Sequence, residues 1–267
     1  MALIALANAK GSPGTTTTAL LLALQWPRPV LLVEADVAGS SVLAGYFRGQ
    51  LAHDRGVGPL AIAHSHGDLE PSLWAQTIPL IGGSADKKLL PGLVGPHLAP
   101  AVSNLWGALA NQLVALERGG MDVLVDLGRI GAGRDDREPL LRLADQLIVT
   151  TGSRLPDIAI TRELVRARTS VVDAAAKELT NLSVLTIGPG RPYDAGEIRS
   201  TLGLADAGTI AWDPVNAEVL AVGAPPGRRW SASALVKSAG PVISRITERV
   251  EQRRARFSTG TLGEEQR

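Results

Sequence analysis

Short apolar runs recur along this chain, separated by longer stretches in which leucines and isoleucines return at helical spacing. Ala2 to Ala7, Val30 to Val33 and Leu182 to Ile187 read as strands. Thr18 to Gln25, Ala99 to Glu117, Pro156 to Ala167 and Val242 to Phe257 read as helices, the second with Leu105, Leu109, Leu113 and Leu116 on one face. Shorter helical pieces are predicted over Leu43 to Phe47 and Val172 to Leu179, and His53 to Gly67 reads as a loop bearing glycine, histidine and proline. The alternation of strand and helix predicts a single domain over residues 1–257, an α/β fold that is doubly wound around a mainly parallel sheet. The polar residues 258–267 are expected to form a disordered tail.

Between the first strand and the first helix lies Lys10-Gly11-Ser12-Pro13-Gly14-Thr15-Thr16-Thr17. Glycines at 11 and 14 let backbone N–H groups turn toward an anion, and the following helix adds its positive end. A strand-to-helix turn of this make-up is a phosphate cradle. The usual pattern G-x-x-x-x-G-K-[ST] places lysine at 15, where this chain has Thr15, able to donate one hydrogen bond but carrying no charge. Losing a charge-assisted contact costs about 1.5–3 kcal/mol, which weakens affinity roughly 10- to 150-fold. Binding is expected to survive better than turnover, because phosphoryl transfer rests on positioned charge.

The whole chain of 267 residues has a net charge of +1, so it exerts no general pull on nucleic acid or anionic lipid. It contains no cysteine, which removes disulfides and thiolate metal sites and fits a reducing cytoplasm. Few residues are aromatic, so the core must be built from Leu, Val, Ile and Ala. Lysine is rare beside arginine, which makes Lys10 in the loop more notable. His53, His64 and His66 lack the spacing or companions of a metal site and read as a solvated loop. The first apolar run has no basic region before it and reads as a strand, not a signal peptide. No apolar stretch approaches the roughly 20 residues that span a bilayer.

The loop resembles the deviant Walker A sequence K-G-G-x-G-K-T-T of the ParA/MinD partitioning and positioning ATPases. Lys10 matches the signature lysine, Gly11 and Gly14 match the glycines, and Thr16 matches the Mg²⁺-binding hydroxyl; Ser12 replaces a glycine and Thr15 the second lysine. Glu34-Ala35-Asp36-Val37-Ala38-Gly39-Ser40 resembles the family's D-x-D-x-x-G-S, with Asp36 at the residue that orients the attacking water. Asp122 to Asp126 resembles the Walker B strand, with Asp126 at the Mg²⁺ position, and Gln146 to Thr151 resembles the next core strand. Ile78 to Ile81, before Gly82-Gly83, resembles the third strand, and Gly131 to Pro139 holds the position of the second switch loop. Gly208 to Pro214 resembles the late strand and adenine-side loop, which brings Asp213 and Pro214 into the nucleotide-binding set. The loop Gly188 to Tyr193 lacks the asparagine with which relatives read adenine.

The resemblance implies a bacterial, cytoplasmic protein that binds ATP or ADP with Mg²⁺. Lys10 and Asp36 would be its catalytic residues, residues 10–17 its phosphate cradle, and Thr16, Asp36 and Asp126 its metal set. It further implies a homodimer in which Lys10 reaches the partner's phosphates, and a protein cargo or adaptor. The cargo would be a chromosome, a plasmid, or a pilus or secretion apparatus, as for the TadZ/CpaE-like members, whose loops are also often atypical. A scaffold that keeps the fold without cycling on nucleotide stays open beside it. Nonspecific DNA binding through dispersed arginines is open too, and membrane binding is not expected, since the tail after Phe257 offers few bulky apolar residues.

Overall fold

Leu3, Ala5 and Ala7 are buried on one side of the first strand, and Ile4 and Leu6 on the other. A strand covered on both faces belongs inside a parallel sheet, and that is its place in the computed structural model, which describes residues 2–11, 14–172 and 181–261. The strands are β1 (Leu3–Asn8), β2 (Val30–Glu34), β3 (Ile78–Pro79), β4 (Lys87–Leu90), β5 (Asp122–Arg129), β6 (Gln146–Gly152), β7 (Leu182–Ile187) and β8 (Ala205–Ile210). They form one sheet in the order β3-β4-β2-β5-β1-β6-β7-β8, parallel throughout except for β3 against β4.

The helices are α1 (Thr15–Gln25), α2 (Val57–Ser65), α3 (Leu69–Leu73), α4 (Leu105–Ala115), α5 (Glu138–Leu143), α6 (Leu155–Val172), α7 (Ala195–Leu202), α8 (Pro214–Ala221) and α9 (Ala234–Thr261). Residues of α1, α8 and α9 pack with Ile4, Leu6 and Leu32 on one face of the sheet, and residues of α2, α4 and α5 with Ala5, Val33 and Val125 on the other. From β1 the chain passes over β5 to reach β2, and from β5 it passes over β1 to reach β6. The crossovers part at the carboxyl ends of these central strands, where doubly wound sheets bind ligands.

Several expectations change. The third strand expected at Ile78 to Ile81 is only the short β3; the strand that pairs with β2 is β4. Pro79 lacks the N–H that an inner strand needs, whereas two lysines disguised β4. The loop expected over His53 to Gly67 contains α2, because Gly58 and Pro59 fall in its first turn, where proline is tolerated, and Val57 and Leu60 are buried. Residues 42–49 form successive turns rather than a helix, with Arg48 and Gly49 at positive φ. The last helix opens eight residues before the expected Val242 and continues through Pro241, since Leu235, Val236 and Ala239 join its buried side. It runs to Thr261, so the expected tail begins inside α9, and residues 262–267 lie outside the described residues. The helix expected over Val172 to Leu179 lies outside them after its first residue.

Two arginines near the end of α9 are held by distant partners. Arg254 pairs with Asp145 at 2.7 Å and with Glu117, while Arg253 donates to the carbonyls of Ala144 (3.2 Å) and Asp145. They fasten α9 to the amino-terminal edge of β6. Among the described residues no helix is long and apolar enough to cross a membrane.

Candidate functional site

The chain enters α1 through Gly14, whose φ of 86° is left-handed and unstrained for glycine. Gly14 offers no side-chain cap, so the positive end of α1 faces the loop without one. A Cβ added at Gly11 would meet nothing within 4 Å, leaving room for an anion. Ser12 and Pro13 lie outside the described residues.

Thr15 is buried and its hydroxyl faces the sheet. It accepts from Asn8 Nδ2 at 2.8 Å and lies 2.6 Å from the Thr150 hydroxyl, which donates to the Ala7 carbonyl at 3.1 Å. Because Thr150 gives its one proton to Ala7, the single proton of Thr15 goes to Thr150. The hydroxyl expected to serve phosphate is thus committed elsewhere, and Thr15 offers the cradle its backbone N–H alone. Thr16, next along α1, stands beside the carboxylate of Asp126, and its hydroxyl favours the charged form of that group.

Asp126, Glu34 and Asp36 meet at the carboxyl ends of β5 and β2. Asp126 is buried and accepts the Gly128 N–H at 2.9 Å; burial, aided by the charges of Glu34 and Asp36, pushes its pKa up to about 7. Glu34 is raised by burial, partly offset by the Ser40 hydroxyl and the N–H groups of Val42 (3.1 Å), Gly92 (3.3 Å) and Ser41 (3.0 Å). Asp36, also raised by burial, accepts the Ala38 N–H at 2.8 Å and rests against Gly128. A Cβ at Gly128 would fall 1.9 Å from Asp36 Oδ2, so the carboxylate can lie there only over glycine. Among the described residues no three His, Asp or Glu side chains form a metal-holding group by themselves.

Arg137, 2 % exposed, ties this end of the sheet together. Its guanidinium donates to the carbonyls of Ala35 (3.0 Å), Leu127 and Arg129 (3.1 Å) and grips the Asp135 carboxylate at 2.7 and 2.8 Å. Burial works against the Asp135 charge, but the bonds and charge of Arg137 outweigh it and hold that carboxyl below its usual range. The charged loop over Gly131 to Pro139 is therefore anchored at its far end.

Lys10 extends from the other side of the cradle and pairs with Asp157 of α6 at 3.0 Å, its side chain half exposed. Both line a cavity of about 440 Å³ that continues past Thr150 and Ser153 to Ile187, Gly188, Arg191 and Trp212. Asp213 is engaged otherwise: it caps α8 by accepting from Asn216 N at 3.2 Å and Asn216 Nδ2 at 2.9 and 3.0 Å, with Pro214 opening the helix. A larger cavity of about 900 Å³ lies between the Gly131–Pro139 loop, α5 and α6, but its Arg168 and Glu138 pair with each other at 2.7 Å, and Lys10, Gly11, Gly14, Asp36 and Asp126 are not among its lining residues.

The structure thus brings Gly11, Gly14, Thr16, Thr17, Asp36 and Asp126 to the carboxyl end of the sheet, with Lys10 at the cavity. Sequence reasoning missed Asn8, Thr150, Gly128, Arg137 and Asp157, most of whose partners lie on other elements of the fold. Only the adjacency of Asp135 and Arg137 was open to inspection.

No family model and no curated protein sequence matches this chain. Solved structures do. A ParA family ATPase from Chlorobium tepidum superposes with a TM-score of 0.66 at 14% identity, over 89% of this chain and 96% of that one. The septum site-determining protein MinD from Pyrococcus horikoshii, complexed with Mg-ADP, gives 0.65 at 17%, over 91% and 94%. A plasmid partition protein from Borrelia burgdorferi gives 0.63 at 14%, over 92% and 97%. The eight-stranded sheet, its strand directions and these superpositions together show that the chain has the fold of the ParA and MinD ATPases.

Proposed function

We propose that this chain is a ParA/MinD-like, ATP-binding protein that dimerises as a spatial switch to position a bacterial cargo in the cytoplasm, with slow or absent hydrolysis. The observation that carries this reading is the pairing of Thr16 with Asp126 beneath a left-handed glycine turn, beside a cavity that Lys10 lines. Hard oxygen donors of this kind suit Mg²⁺, which keeps several waters and takes phosphate oxygens as further ligands. Thr16, Asp126 and Asp36 would hold it, and it would supply charge against the β- and γ-phosphates. The cradle residues would hold the triphosphate. Turnover is impaired because no cation stands at position 15 and the Thr15 hydroxyl is already committed. The Mg-ADP bound to the P. horikoshii MinD supports the choice of nucleotide.

Calorimetry with millimolar MgATP tests this directly: weak, Mg²⁺-dependent heat is expected, and none would remove the switch. Sedimentation velocity with a slowly hydrolysed ATP analogue should show a dimer that Lys10→Ala abolishes, because each Lys10 would otherwise answer phosphate charge in a partly desolvated interface. The pairing with Asp157 must then open, a small matter for a half-exposed ion pair. A dimer that forms without nucleotide, or with Lys10 removed, would favour the second reading, a scaffold that does not cycle.

Restoring lysine at position 15 should have opposed effects. Thr15→Lys breaks the chain from Asn8 through Thr15 and Thr150 to Ala7, lowering the stability of the free protein by about 1–2 kcal/mol. It is expected to tighten ATP binding about tenfold or more by returning the charge. Thermal melts and titrations of the same variant read both effects, and unchanged affinity would show that missing charge is not what weakens the cradle.

A further inference from the structure

Trp26 and Trp106 are buried, whereas Trp212 is 54% exposed and lines the cavity beside the phosphate loop. A large indole standing in an opening is a surface for something flat. Its support is rigid on both sides. Gly188, at a φ of 65°, lies so close beneath it that an added Cβ would come within 3.1 Å of the Trp212 Cβ and 3.3 Å of its Cε3. The Ser153 hydroxyl braces that loop from below through the carbonyls of Gly188 (2.6 Å) and Arg191 (3.0 Å), and the Asp213 cap of α8 holds the backbone just past the tryptophan.

The distance from the cradle also suits a nucleoside. A Cβ at Gly14 would touch Ile187 Cδ1 at 3.6 Å, and Ile187 leads directly into Gly188. Over the indole lies the Arg191 guanidinium, 5.0 Å from the ring centroid, a planar group on the face a base would take, so that on binding it must swing aside to the base's edge. Arginine offers donors and no acceptor, which matches the O6 and N7 acceptors of guanine and not the amino group of adenine. The carboxylate among the described lining residues, Asp157, is held by Lys10.

Building on the nucleotide-binding reading, we propose that Trp212 is the stacking platform for a purine base and that Arg191 reads the base's acceptor edge, so that guanine nucleotides bind at least as tightly as adenine nucleotides. The test is calorimetry of wild type, Trp212→Ala and Trp212→Phe with MgATP, MgGTP and magnesium tripolyphosphate. MgGTP is expected to equal or exceed MgATP on wild type. Trp212→Ala should weaken both about tenfold or more while leaving tripolyphosphate unchanged, and Trp212→Phe should retain most of the affinity. Folding is not at stake at so exposed a position, and a thermal melt verifies it. Nucleotides that bind Trp212→Ala as tightly as wild type would overturn the platform and leave the nucleotide reading standing. Tenfold selectivity for MgATP over MgGTP would overturn the role of Arg191. Wild type that binds none of the three ligands would overturn the nucleotide reading and the platform with it.

Discussion

Asp126→Asn is expected to stabilise the ligand-free protein at pH 8 and to remove Mg²⁺-dependent nucleotide binding. The Asp126 carboxyl is buried, and burial with the nearby Glu34 and Asp36 charges raises its pKa from 3.8 to about 7. In the unfolded chain it ionises near its ordinary value, whereas in the folded protein it keeps its proton until about pH 7. Its contribution to stability is therefore fully present below about pH 4 and is lost as the pH rises through 7. At pH 8 the fold carries a buried charge that costs on the order of a few kcal/mol, at about 1.4 kcal/mol per pKa unit. Asparagine preserves the shape, can still accept from the Gly128 N–H, and carries no charge. Melting curves between pH 4 and pH 8 should show the variant several degrees more stable at the upper end, converging with wild type at the lower. A variant less stable at every pH would mean that the support of the Thr16 hydroxyl for the carboxylate outweighs the burial of its charge. Under the proposed function the same substitution would deprive Mg²⁺ of a charged ligand, so a gain in stability accompanied by loss of binding would identify Asp126 as a residue kept for function.

Arg137→Met is expected to destabilise the protein by about 3–5 kcal/mol. The methionine retains much of the apolar stem, so the loss isolates the guanidinium. Without it the Asp135 carboxylate and the carbonyls of Ala35, Leu127 and Arg129 lose their shared donor in a nearly dry site. These carbonyls lie in β5 and just past the end of β2, beside Asp126 and Asp36, so the damage falls on the framework of the candidate site. Urea denaturation should show the midpoint falling with little change in slope. A loss below about 1 kcal/mol would show that water replaces the guanidinium and that the clamp is dispensable.

Local patterns in the chain reach the fold class because β1 and β2 are apolar runs and β7 is nearly one, all buried on both faces, whereas β5 and β6, which carry polar residues, are legible through their resemblance to known core strands. They fail at β4, where Lys87 and Lys88 hide a strand, and at α2, where Gly58 and Pro59 imitate a loop although the first helical turn accepts both. At Pro241 they predict a helix start where apolar packing carries α9 straight through. In each case burial against a distant element overrides a local preference worth about 1–3 kcal/mol.

The sequence by itself determined the doubly wound sheet, the position of a glycine-bearing loop between β1 and α1, and the absence of a cation at residue 15. These are properties of neighbouring residues. Only the tertiary structure decided what Thr15 does with its hydroxyl, because its partners Asn8 and Thr150 come from two different strands. It likewise set Asp36 over Gly128, Lys10 against Asp157, and Arg137 across three strand-end carbonyls. It also spent the Asp213 carboxylate on the cap of α8 and left its neighbour Trp212 exposed at the cavity. A side chain's chemistry is written in the sequence, but its hydrogen-bonding capacity is finite, and which partners use it up depends on which strand ends the fold brings together.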